Sequence, residues 1–249
     1  MKKVLVIVPF PMTEENRDLR RSQLTGVELG PDISFEFRSV RAAPRNYVSA
    51  SDMVVADIGM LEAGLDAEAE GFDAVCIDTM SDSGVAALRS ELSIPVIGPG
   101  RASVLMAMML GKRFSIIAMW PHWTHLYEKT LMELGVDHAC ASIRALDVTP
   151  DNQGLLSGKE DETFAALETL SRACIDEDGA DVILLGSTTM HQAHAYLASR
   201  LPVPVINPGP LSYKLAEAVL GLGLSHSQAA YPRSPAPRAE LIHRMLDGA

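Results

Sequence analysis

The chain has 249 residues, 47% of them hydrophobic, and carries a formal net charge of −11. That length and apolar fraction suffice for a substantial buried core, while the negative charge argues against a nucleic-acid backbone or an anionic membrane as main partner. Cys76, Cys140 and Cys174 are an odd number without metal-type spacing, which suits a reducing, cytoplasmic setting and predicts neither a disulfide framework nor a metal site.

The start, MKKVLVIVPFPM, sets two lysines before an apolar run as a secretory signal would. Pro9 and Pro11 interrupt the run, however, and Glu14 and Glu15 follow it without a small-residue cleavage pattern. It reads as a buried strand over residues 4–8. Short β-branched runs then alternate with segments of helical period, the pattern of a parallel sheet with crossover helices. The first half is expected to hold strands at 4–8, 33–40, 74–78 and 95–97 and helices at 15–25, 50–70, 84–92 and 102–110. Val54, Ile58, Leu61 and Leu65 form one apolar stripe on the long helix. The second half repeats the order, with strands at 114–119, 138–143, 182–186 and 204–206 and helices at 125–134, 161–175, 192–201 and 211–220. A tail over 225–249 passes through Pro232, Pro235 and Pro237 to a short helix at 239–246. Residues 147–160, polar and glycine-containing, are expected to form a mobile flap. No segment is long and apolar enough to span a bilayer.

The two halves are copies. Gly71 opens GFDAVCIDTMSDSG and Gly179 opens GADVILLGSTTMHQ, and a hydroxyl residue follows each glycine by eight positions, Thr79 and Ser187. The copies run on to SIPVIGPG at 93–100 and VPVINPG at 203–209. The expected fold is therefore α/β with two similar lobes, each a four-stranded parallel sheet flanked by helices, related by a pseudo-twofold axis. The lobes are expected to divide at 1–110 and 111–222, with 223–249 packing back as a tail.

Ligands of parallel α/β sheets gather beyond the carboxyl ends of the strands, where helix N-termini offer free amides. Thr79, Ser81 and Ser83 in one turn, and Ser187, Thr188 and Thr189 in the other, supply hydroxyls for a carboxylate or imide. Capping of the following helices is the competing use of such residues. Asp82 and His191 are the ionisable candidates, a carboxylate and an imidazole that could face each other across the axis as base and acid; Asp78 adjoins the first turn. Pro11 and Thr13 past the first strand, and Trp120 and His122 past the fifth, could wall the pocket, together with Trp123 and Tyr127. Cys76 alternates to the strand face opposite Thr79 and reads as a buried structural thiol.

Taken together, the duplicated lobes, GFDAVCIDTMSDSG, GKRFSIIAMW and GADVILLGSTTM followed by VPVINPG resemble the aspartate/glutamate racemase superfamily, in its hydantoin racemase-like branch. The resemblance reaches to about Leu222. It implies a cofactor-independent isomerase or racemase acting on a small carboxylate, imide or hydantoin-like molecule, with two cysteines, one per lobe, exchanging a carbon-bound proton. Carried over by position, those cysteines fall on Thr79 and Ser187. An alcohol is too weak an acid to ionise without a partner base, so the chemistry needs an acidic substrate carbon or a base from elsewhere. A lyase or decarboxylase of the same superfamily, or a binding protein that keeps the cleft without catalysis, are the alternatives. The expected partner is a small anionic or imide-containing molecule; a homo-oligomer stays open.

Overall fold

A computed structural model describes residues 1–149, 160–236 and 238–247. Its first sheet holds β1 (Lys2–Val8), β2 (Ile33–Ser39), β3 (Ala74–Ile77) and β4 (Val96–Ile97) in the order β2-β1-β3-β4. Its second holds β5 (Phe114–Ala118), β6 (Cys140–Ala145), β7 (Val182–Leu185) and β8 (Val205–Ile206) in the order β6-β5-β7-β8. All pairings are parallel. Apart from exposed Lys2 and Lys3 and the buried Ser115, central strands β1, β3, β5 and β7 are apolar and buried on both faces, whereas β2 is half-exposed.

The duplication extends to individual backbone bonds. Gly71 and Gly179 both take left-handed φ values, +84° and +74°, in the turn that enters β3 or β7. Two residues later, Asp73 accepts the Lys3 amide and Asp181 accepts the Lys112 and Arg113 amides, so one carboxylate ties the foot of each central strand to its neighbour.

Helices α1 (Glu14–Arg21), α2 (Ala50–Gly64), α3 (Val85–Glu91) and α4 (Pro99–Leu110) belong to the first half; α5 (Thr124–Leu134), α6 (Glu160–Asp176), α7 (His194–Ala198) and α8 (Pro208–Gly221) belong to the second. A proline opens both α4 and α8, where its missing N–H costs nothing. These two helices are exchanged between lobes. Val104 and Ala107 of α4 join the core built on β5 and β7, while Tyr213 and Ala216 of α8 pack with Val4, Val6 and Cys76 of the first sheet. The methionine-rich α4 thus has a lobe-to-lobe face, with Met109 left outside. Cys76 is fully buried and donates to the Ser212 carbonyl, on the face predicted for it.

Three of the differences from the expected element limits have plain local reasons. The long helix stops at Gly64, whose Cα passes close to Ile7 and Leu88, and the chain then turns through bonds from Leu65 to Glu62 and from Ala67 to Gly64. The sixth strand starts at Cys140 because residues Asp137–Ala139 form a 3₁₀ turn. The helix expected at 192–201 is a 3₁₀ turn, Thr188–Ala193, continued only briefly by α7. The tail lies on the first lobe: Arg89 donates to the Tyr231 hydroxyl and the Val96 carbonyl, and Ser225 donates to the Ser93 carbonyl. It ends in α9 (Ala239–Asp247), which packs near α2. Of the expected flap, 150–159 lies outside the described residues. No helix among those described is long and apolar enough to cross a membrane.

Candidate active site

β3 and β7 deliver their carboxyl ends side by side. The Asp78 amide bonds to the Ile7 carbonyl and the Gly186 amide to the Ile117 carbonyl, so each chain leaves its sheet at the equivalent point. Beyond β3 the hydroxyls of Thr79, Ser81 and Ser83 form a chain, with oxygens 3.1 and 2.8 Å apart. Beyond β7 the Ser187 and Thr189 hydroxyls are 2.8 Å apart, and Ser187 also accepts the Thr189 amide as the cap of its 3₁₀ turn. Thr188 crosses between lobes and donates to the Asp78 carbonyl, 3.2 Å away.

At the centre lies a pair of charges. Arg20, on the last turn of α1, is 1% exposed; its Nη1 donates to Asp78 Oδ2 at 3.1 Å and to Thr188 Oγ1 at 3.2 Å. Gln23 Nε2 donates to the other Asp78 oxygen at 3.1 Å. Burial pushes the Asp78 carboxyl up, while the Arg20 guanidinium and the Gln23 and Thr188 donors pull it back. A charge pair withdrawn from water in this way survives only because each member satisfies the other.

The hydroxyls and this pair line a cavity between the lobes. Phe10 and Tyr47, stacked 5.2 Å apart, wall it together with Trp123, Leu126 and Tyr127. Both tyrosine hydroxyls are committed to backbone, Tyr47 to the Pro9 carbonyl and Tyr127 to the Gly186 carbonyl. Burial raises both phenols well above their ordinary range, so they act as neutral donors. The remaining space is about 30 Å³, room for a water or two. A ring must part these walls to enter.

Thr79, Ser81, Ser187, Thr188 and Thr189 therefore meet at one cavity, and Ser83 stands behind Ser81 as the fully buried end of the hydroxyl chain. Asp82 and His191 do not face each other there. Asp82 takes a left-handed φ of 52° that turns its carboxylate away from the cavity, onto the Gly100 and Arg101 amides at the start of α4, at 2.8 and 2.7 Å. Burial pushes that carboxyl up to about 6 against the pull of the two amides. His191 lies on the far side of its turn, bonded to the Ser22 hydroxyl and the Thr188 carbonyl, and burial holds its imidazole down to about 4. Both fasten the turns in place.

Pro11 is exposed and Thr13 is spent capping α1 through the Asn16 amide. Trp120 leans edge-on against exposed His122, 4.5 Å between centroids, outside the cavity; the 3₁₀ turn Pro121–Trp123 presents Trp123 to it instead. Arg20 and Tyr47 carried no signal in the sequence. Among the described residues no group of three or more His, Cys, Asp or Glu could hold a metal ion.

The protein is thus an α/β fold of two similar lobes that meet over paired hydroxyl turns. The family description Asp/Glu/Hydantoin racemase matches residues 21–216, and the chain belongs to that family. It is 33% identical over 195 residues to a hydantoin racemase of Rhizobium meliloti, covering 76% of this chain and 79% of that protein. It is 32% identical over 193 residues to a hydantoin racemase of Pseudomonas sp. strain NS671, covering 76% and 75%. The structure of an allantoin racemase from Klebsiella pneumoniae superposes with a TM-score of 0.84 at 26% identity, covering 95% of this chain and 96% of that one. An arylmalonate decarboxylase shares the fold at 19% identity, with a TM-score of 0.61 over 92% of this chain and 96% of that one.

Proposed function

We propose that this chain is a cofactor-independent racemase of a hydantoin-like ring, working in the cavity between Thr79 and Ser187. The observation that carries the reading is the placement of these two hydroxyls, from equivalent strand ends, around the buried Arg20–Asp78 pair, in a chain whose relatives include named hydantoin racemases.

The carbon to be inverted in such a ring lies between a nitrogen and a carbonyl, so its C–H is far more acidic than that of an amino acid. Deprotonation leaves the electron pair in an enolate whose negative charge gathers on the carbonyl oxygen. Of the ionisable groups around the cavity, Asp78 is suited to accept the proton: Arg20 and Gln23 each donate to one of its oxygens and Thr188 also acts on the carboxyl, which still leaves lone-pair capacity for a substrate hydrogen. Burial raises its basicity. Arg20 supplies positive charge to the developing enolate without reorganising. Thr79 and Ser187 bracket the flat intermediate: a hydroxyl on the face opposite the base gives its proton to the carbon and is reprotonated from water, to which protonated Asp78 returns the proton first taken, so the other enantiomer forms with no net change in atoms.

The test is incubation of one enantiomer of a 5-substituted hydantoin in D2O with the protein. Loss of optical rotation together with deuterium at the ring carbon is the expected result. Binding without exchange would overturn the reading in favour of a binding protein, and loss of CO2 from an arylmalonate with no exchange into hydantoin would favour a lyase.

A further inference from the structure

We propose that the Trp123 indole N–H is a substrate-binding donor that receives a carbonyl or carboxylate oxygen of the ligand. The inference rests on the racemase reading for the identity of the ring and on three observations for the donor. Trp123 lines the cavity, its residue is 7% exposed, and its Nε1 is buried without a hydrogen-bond partner. The ring is held in place, since its own amide bonds to the Trp120 carbonyl and Trp120 meets it edge-on at 6.4 Å.

The neighbouring side chains show why this N–H matters. Both tyrosine hydroxyls donate to backbone carbonyls. Thr188 donates to the Asp78 carbonyl. Three hydroxyls share two bonds in the Thr79–Ser81–Ser83 chain, and two share one in the Ser187–Thr189 pair, so each group retains one hydrogen that can rotate. Hydroxyls of this kind can give or accept and so discriminate little between ligand atoms. Indole is a donor only and cannot rotate its hydrogen away. Whatever atom it meets must be an acceptor.

A phenylalanine would fill the same wall without leaving a buried polar atom unsatisfied, which is normally costly to stability. The donor is closed off from water in this state, so the parting of the walls that admits a ring also uncovers the indole N–H, and a ligand oxygen arriving there supplies the hydrogen bond it lacks. The site therefore favours a ring bearing a carbonyl at this wall and disfavours one presenting an N–H or a methylene in its place, because the indole would then be left unpaired.

The experiment uses the full chain labelled at the indole nitrogens. With two tryptophans, Trp120 and Trp123, the spectrum holds two indole N–H signals, and Trp123→Phe assigns them. The wild-type protein is titrated with 5-methylhydantoin while deuterium exchange into the same compound is followed in parallel. The expected result is a saturable downfield shift of the Trp123 signal, larger than that of Trp120, and at least a tenfold loss of kcat/KM in Trp123→Phe with unchanged circular dichroism. If 5-methylhydantoin exchanges but the Trp123 signal stays put at saturation, the donor assignment is wrong and the racemase reading stands. If the compound neither exchanges nor binds, both fall.

Discussion

Breaking the Arg20–Asp78 pair from either side should destabilise the protein, with different pH behaviour on the two sides. Both side chains are 1% exposed or less and sit where the two lobes meet. Removing one member of such a pair strands the other, which costs about 3–5 kcal/mol. For a chain of this size that corresponds to a fall in Tm of roughly 6–20 °C. In Asp78→Asn the stranded group is a guanidinium, which cannot shed its proton and so adds no pH dependence of its own between pH 5 and 8. In Arg20→Met the stranded group is a carboxyl that burial already pushes upward. Its folded pKa then rises further, the folded state holds a proton that the unfolded state has released, and stability falls as pH rises from the unfolded value near 4 through the folded one. Arg20→Met should therefore be distinctly less damaging at pH 5 than at pH 7.5. The double variant Arg20→Met/Asp78→Leu should regain much of the loss, as replacing buried ion pairs by apolar side chains generally does. Urea unfolding of the four proteins at both pH values measures this. Single losses that simply add in the double variant, within about 0.5 kcal/mol, would show that the pair is not coupled and would refute the reasoning.

Two more predictions concern His191, which the structure places differently from expectation, and Cys76, which it buries as expected. His191, held down to about 4 by burial, stays neutral in the fold while its unfolded counterpart takes up a proton below about 6.5, so its contribution is lost as pH falls from about 6.5 towards 4. The stability advantage of wild type over His191→Gln should shrink by about 2 kcal/mol between pH 7 and pH 5; a pH-independent difference would show that the imidazole titrates normally. The comparison must be made against the variant because Asp82, pushed up to about 6, works in the opposite direction over the same range. Cys76→Ser should leave the rate of C–H exchange within about twofold, since its thiol is buried against Ser212, is raised out of the nucleophilic range by desolvation and does not line the cavity. A folded but inactive Cys76→Ser protein would put the thiol in the chemistry.

The duplication made the two sheets and the paired turns legible, because the features that repeat are those the backbone requires: left-handed Gly71 and Gly179 before the central strands, and Thr79 and Ser187 just past them. What the pattern could not show was direction. Asp82 lies within the right turn, yet one left-handed residue aims it at α4. His191 lies one helical turn beyond Ser187 on the side that meets Ser22. Arg20 was hidden for a different reason. In the charged run EENRDLRR every residue but Leu19 reads as solvated, and an eight-residue helix offers no periodicity by which its one buried cation stands out. The exchange of α4 and α8 was illegible too, since apolar stripes reveal that a helix packs but not on which sheet.

The measurement that bears most directly on the central claim is deuterium incorporation into a single enantiomer of a 5-substituted hydantoin in D2O, comparing wild type with Thr79→Ala and Ser187→Ala. Wild type should exchange the ring C–H and lose optical activity at matching rates, and each variant should lose at least a hundredfold in rate while keeping its circular dichroism and unfolding midpoint near wild type. Full exchange in both variants would contradict the assignment of catalysis to the paired hydroxyl turns.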